Sequence, residues 1–214
     1  LWVEIESAGK SSKLAKEHPE WFITRYDQPV ERVLDLAKPV VRDYVEGHIL
    51  RLVERYQLDM FRLDYNLDAQ EGGFNLQDGR QENTLYRHVE AMYAIFDNVR
   101  ERYPNLQLEN CSSGGARTDL GMNSRFTTAW ISDWMRMPRT VRILNGMSMA
   151  LPPDMLNRLF GVCMSGSYRG NAEMQLQTII LGHPAVSGLT PSLAEANPEL
   201  LRLTKKYLGI YRDF

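Results

Sequence analysis

Carboxylates in this chain gather where apolar stretches run out. Glu4 and Glu6 follow Trp2 in the opening LWVEIE, Asp64 closes MFRLD, Glu109 closes LQLE, and Asp133 follows TTAWIS. One Asp after a strand is ordinarily a cap or loop residue, but four successive strands ending this way point to a shared ligand site. Arg62 and Asp64 are two positions apart, so on a strand they share a face. A cation there favours an ionised carboxylate. Asp64, Glu109 and Asp133 together could instead hold Mg²⁺ in a lyase or racemase of the enolase type. That chemistry also needs Lys or His bases at flanking strand ends, and no Lys stands there. A third reading is a sugar-binding site without catalysis.

The segment ENCSSGGAR adds small residues that let backbone N–H groups approach a ligand. It lacks the Lys-Ser/Thr ending of a P-loop, so hydroxyl recognition fits as well as phosphate. Trp2, Trp21, Trp130 and Trp134 read as core or rim residues, and beside carboxylates an apolar ring suits a sugar. His18, His48, His88 and His183 have no metal-ligand spacing and read as surface or capping residues.

The elements that must carry these residues alternate. Apolar spacing predicts helices over 39–56, 81–102, 139–145, 171–181 and 198–213. Strands are predicted at the opening LWVEIE, at 58–63, and at LQLEN, FTTAWI, MSMAL and PAVSGL, with DAQEGGFNLQDGR and CSSGGARTD as loops. Strand, loop and helix in repetition mean α/β architecture, with parallel strands and crossover helices. A doubly wound sheet and a (β/α) barrel both fit, and both bind ligands at the carboxyl ends of their strands.

With 214 residues, the chain suits one domain or a large part of one. It opens as if inside a strand, so a fragment of a longer protein is expected. Charged residues are 24% and the net charge is −2, with the two signs interspersed. That gives no footprint for nucleic acid or an anionic membrane surface. No apolar run approaches the ~20 residues of a membrane span. Cys111 and Cys163 form no disulfide framework, which favours a reducing, cytoplasmic compartment.

In the order of its motifs the chain resembles the family 36 glycoside hydrolases, the retaining α-galactosidases. LWVEIE followed by EHPEW resembles the family's W-x-E-P-E and H-P-x-W stretch, and LDLAKPVVRDYV resembles L-D-L-x-x-P-x-V-R-x-Y. FRLDYN stands where the family has K-W-D-x-N. ENCSSGGARTDLG followed by WISD resembles E-x-C-S-x-G-G-x-R-x-D and W-x-S-D. The likeness runs over residues 1–133 and weakens beyond.

This resemblance implies an incomplete (β/α)8 TIM barrel over residues 1–214, from about strand 3 to strand 8, acting on terminal α-galactosides or related α-glycosides without metal or cofactor. It implies Asp64 as nucleophile and Asp133 as general acid/base. It places Trp2, Arg62, Cys111, Ser113, Gly114 and Arg117 in or beside the sugar pocket. Homo-oligomerisation of the full-length protein is left open. Retention needs two carboxyl groups about 5–5.5 Å apart. The acid asks for a dry setting, with which Trp130, Ile131 and Trp134 are compatible. In an incomplete barrel Leu63 and Ile131 are expected to face inward without an opposite wall. The family's Lys is Arg62 here, its Trp before the nucleophile is Leu63, and EIE replaces E-P-E. SDWMRMPR replaces an acidic run, and Arg158 stands where the PPDM block should carry a His. These departures bear on sugar preference and hydrolysis versus transglycosylation more than on the core chemistry.

Overall fold

The structure is a computed structural model. It describes residues 1–213 apart from 27, 68, 70, 71, 162–170 and 188–190. Cys163 therefore lies outside the described residues. The chain divides into two compact units, Leu1–Ser112 with Asp119–Phe126, and Ser113–Thr118 with Thr127–Phe214.

The first unit runs β1 (Trp2–Glu4), α1 (Lys13–Glu17), β2 (Phe22–Arg25), β3 (Gln28–Leu34), α2 (Pro39–Tyr56), β4 (Met60–Asp64), β5 (Phe74–Gln77), β6 (Arg80–Asn83), α3 (Leu85–Arg102), β7 (Gln107–Asn110) and α4 (Leu120–Asn123). Strands β1, β4 and β7 are parallel, with Glu4 opposite Asp64 and Arg62 opposite Glu109. Helix α2 begins on Pro39, whose missing N–H costs nothing in a first turn, and ends on Gln57 with φ 47°. Its buried Val41, Val45, Ile49 and Val53 and the Met92, Ile95, Phe96 and Val99 stripe of α3 meet Phe61, Leu63 and Leu108 of the strands. Each such fully buried side chain contributes about 1.5–3 kcal/mol. One strand face is thereby committed to the helices, and the other is left for Trp2, Arg62, Asp64, Glu109 and Cys111.

A second sheet has the order β3-β2-β5-β6, with antiparallel pairs β2/β3 and β5/β6. It corrects the reading of DAQEGGFNLQDGR as a loop, and it takes residues 81–83 from the predicted helix. Leu76 is 79% exposed and β6 is polar throughout, so the two-residue alternation of Phe74 and Leu76 in β5 is the whole apolar signal of these strands. The Arg25 side chain donates to the carbonyls of Gly72 (Nε, 2.8 Å) and Ala69 (Nη2, 2.9 Å), tying the β4–β5 connection to this sheet.

The second unit runs β8 (Thr128–Trp130), α5 (Arg139–Met147), β9 (Leu156–Gly161), α6 (Ala172–Ile179), β10 (His183–Ser187), α7 (Pro191–Ala196) and α8 (Pro198–Asp213). Strands β8, β9 and β10 are parallel. The predicted strand MSMAL is instead the last residue of α5 and the turns that follow it. Ser148 N–H donates to Leu144 O and Leu151 N–H to Met147 O, while Met149 is 84% exposed. The strand comes after the Pro152-Pro153 break, as β9.

Leu63 and Ile131 do not face inward as expected. Leu63 packs with α2 and α3, and Ile131 with Leu144, Leu151 and Leu156. The mixed α/β fold with parallel strands is that of a partial (β/α)8 barrel. No helix among the described residues is long and apolar enough to cross a membrane.

Candidate active site

In the first unit, alternation along β4 sends Phe61 and Leu63 to the helices and Arg62 and Asp64 to the opposite face. Asp64 is buried, and donors reach both its oxygens. Trp2 Nε1 donates to Oδ2 at 3.0 Å and the Tyr65 backbone N–H to Oδ1 at 2.8 Å. Arg62 lies beside the same indole, 5.2 Å from the ring centroid, a cation–π distance. Its Nη1 donates to Glu109 Oε1 at 3.0 Å and its Nη2 to Cys111 Sγ at 3.2 Å. The β4–β7 register explains the pairing, because Glu109 is the cross-strand partner of Arg62. Glu4, opposite Asp64 on β1, accepts from Ser7 Oγ at 2.8 Å and from Asn66 Nδ2.

Glu6 points elsewhere. It is buried and accepts from His88 Nε2 at 3.0 Å, while His88 Nδ1 accepts from the Leu36 N–H at 3.3 Å. With Nδ1 an acceptor, the neutral ring carries its proton on Nε2. His88 is thus a core residue of the first unit, not the surface or capping residue expected. Glu6 is its partner and no part of the ligand-facing row.

In the second unit Asp133 lies past the end of β8. The indole of buried Trp130 donates from Nε1 to Asp133 Oδ1 at 2.7 Å. Asp133 itself is exposed in this chain, so the dry surroundings expected of it are absent among the described residues. The glycines of CSSGGAR meet this segment at close range. A Cβ on Gly114, which has φ +87°, would lie 3.1 Å from Asp133 N, and one on Gly115 would lie 2.5 Å from Ile131 O. The two small residues are therefore needed for backbone packing against the Ile131–Asp133 stretch. Ser113 is exposed with φ 45°. Arg117, partly buried, belongs to this same unit.

Trp2, Arg62, Asp64 and Cys111 are thus brought together in the first unit, and Ser113, Gly114, Arg117 and Asp133 belong to the second. Cys111 is buried and acts on Arg62. Two roles escaped the sequence reading. The role of Glu109 as partner of Arg62 needs the strand register, which composition does not reveal. Arg158 is fully buried on β9 in the row Leu156, Arg158, Phe160. A charge in an apolar alternating row was the available signal, hidden because the strand was expected at 147–151.

Parallel strands backed by helices, with polar residues at their carboxyl ends, fit the class of (β/α)8-barrel folds, of which this chain is a part. More narrowly, the chain belongs to the melibiase family of glycoside hydrolases, whose model matches residues 1–189. It is 32% identical to alpha-galactosidase 2 of Pediococcus pentosaceus over 214 residues, covering 94% of this chain and 29% of that protein. The crystal structure of the α-galactosidase AgaA of Geobacillus stearothermophilus matches with a TM-score of 0.87 at 25% identity, over 100% of this chain and 30% of AgaA. An AgaA variant in complex with stachyose matches with a TM-score of 0.86 at 23% identity, over 99% of this chain and 31% of that one. The chain thus spans less than a third of the length of these relatives.

Proposed function

We propose that residues 1–214 are part of the catalytic barrel domain of a retaining glycoside hydrolase that removes terminal α-galactose by double displacement. Asp64 attacks the anomeric carbon, forming a glycosyl-enzyme ester as the leaving oxygen departs. Asp133 protonates that oxygen and then takes a proton from the water that cleaves the ester. The observation that carries this reading is the Trp2–Arg62–Asp64–Cys111 constellation on the strand face opposite the helices. Its carboxylate is oriented by two N–H donors, as a nucleophile that must meet one carbon from one direction requires. Trp2, 63% exposed, offers a ring for the sugar. Arg62 and Cys111 stand with it in the first unit, Cys111 accepting from the Arg62 guanidinium, and Ser113, Gly114 and Arg117 of the second unit are read as sugar-binding from the family's motif. The stachyose complex of AgaA supports an oligosaccharide ending in α-galactose as substrate. A three-carboxylate Mg²⁺ site is disfavoured because Glu109 is already the ion-pair partner of Arg62 at 3.0 Å.

The test uses the natural full-length protein and aryl α-galactosides. Phenol release is expected. Asp64→Ala should abolish it, and added azide should restore turnover as the inverted galactosyl azide. Release from other aryl α-glycosides alone would refute the sugar assignment, and near-normal turnover by Asp64→Ala would refute the nucleophile.

A further inference from the structure

Strand β9 presents Leu156, Arg158 and Phe160 to the helix layer, all fully buried. Leu156 belongs to the apolar cluster under α5, and Phe160 to the one under α6 and α8. A guanidinium between them is expensive, since a buried charge must recover its lost hydration through hydrogen bonds or an ion pair. No carboxylate pairs with Arg158 among the described residues, and Nε finds no acceptor there. The bonds it does make converge on one place. Nη1 donates to Ser132 O at 3.4 Å, Nη2 to Trp134 O at 3.0 Å, and Nη2 also to Thr140 Oγ1 in the first turn of α5. The two carbonyls flank Asp133. Burial lowers the Arg158 pKa to about 10, still well above neutral, so the cation persists at working pH.

From these contacts we infer that Arg158 is a positioning residue: it grips the backbone on both sides of Asp133 from the helix side of the sheet and fixes where that carboxyl group is presented. The inference rests on the reading of Asp133 as the acid/base. Three features of the segment fit the assignment. The Ser132 side chain closes a local turn by accepting from the Trp134 N–H at 3.0 Å. Trp130 holds the carboxyl itself. Gly114 and Gly115 press on the segment's backbone. None of these ties the carbonyls at 132 and 134, which are left to Arg158. A planar guanidinium spreads its donors over separate nitrogens and so reaches both carbonyls and the hydroxyl, whereas an ammonium is a single point charge on a shorter reach and a neutral amide has only two N–H donors. An apolar side chain there would satisfy the row and abandon the loop.

The experiment compares Arg158→Met, which suits the apolar row, with Arg158→Lys in the full-length protein. It measures amide hydrogen exchange over residues 131–136 and kcat/KM on α-galactosides of graded leaving-group acidity. Misplacing a catalytic group by about 1 Å can cost roughly 100-fold. Arg158→Met is therefore expected to raise exchange in the segment and to lower kcat/KM by about 10- to 100-fold on poor leaving groups. Activated aryl galactosides, which need little proton donation, should be nearly unaffected. Arg158→Lys should fall between, and it decides the matter if the Met variant does not fold. In an Asp133→Ala background the Arg158 change should add nothing to the leaving-group dependence. If Asp133→Ala itself shows no such dependence, the acid/base reading fails and the exchange result alone judges Arg158. Unchanged exchange together with equal losses on all substrates would overturn the inference.

Discussion

Asp64 and Asp133 are each held by an indole N–H, from Trp2 and Trp130 respectively, yet the scaffolds behind them differ. In the first unit the support is a row of side chains on paired strands: the register sets Arg62 opposite Glu109, and the Arg62 guanidinium then bonds Glu109 and Cys111 beside Asp64. In the second unit the carboxylate lies beyond its strand, and the support acts on backbone through two glycines pressed against it and a guanidinium on its carbonyls. A group on a strand can be fixed by its neighbours' chemistry. A group on a loop must have its main chain fixed first.

The contrast can be broken most severely at Glu109. Glu109→Ala removes the carboxylate that pairs at 3.0 Å with Arg62, whose side chain is 18% exposed. Losing one member of a buried pair costs about 3–5 kcal/mol. Denaturant unfolding should show that loss, and turnover should fall on good and poor leaving groups alike. A variant as stable as the parent would mean that register, not charge, holds the row. Next comes Gly115→Ala, whose methyl would sit 2.5 Å from Ile131 O. Overpacking of this kind costs about 1–3 kcal/mol. The lower melting temperature should come with a selective loss on poor leaving groups, as for Arg158→Met, and a uniform loss would merge the two scaffolds into one. Two further substitutions of similar size sharpen the comparison. Trp2→Phe and Trp130→Phe each remove one hydrogen bond to a carboxylate, worth about 1.5–3 kcal/mol when the acceptor is charged. Trp2→Phe should slow every substrate, Trp130→Phe only those that need a proton. Measuring kcat/KM on a 2,4-dinitrophenyl and an alkyl α-galactoside separates them.

Much of this was legible in the residues. The apolar spacing of Val41, Val45, Ile49 and Val53 sets α2 at 39–56, and the closing helix runs 198–213 as its leucines require. The i, i+2 rule puts Arg62 and Asp64 on one face. Their partners were not legible, because pairing Arg62 with Glu109 depends on a register that no local pattern encodes. The second sheet stayed hidden because β5 and β6 are only four residues each, β6 is polar and glycines flank them, the composition of a loop. MSMAL misled because an apolar run shows neither period. There, helix-type hydrogen bonds and solvent exposure of Met149 replace the expected burial.

Cys111 has a consequence outside catalysis. Its thiol is 1% exposed and faces a guanidinium across the β4–β7 pair. A maleimide can meet it only when the Arg62 side chain or the strand ends move aside, so in a Cys163→Ser background with other cysteines absent the labelling rate measures how often the row opens. The sulfur would serve as a clock for local opening, set into the strands that carry the Asp64 row and readable without any substrate.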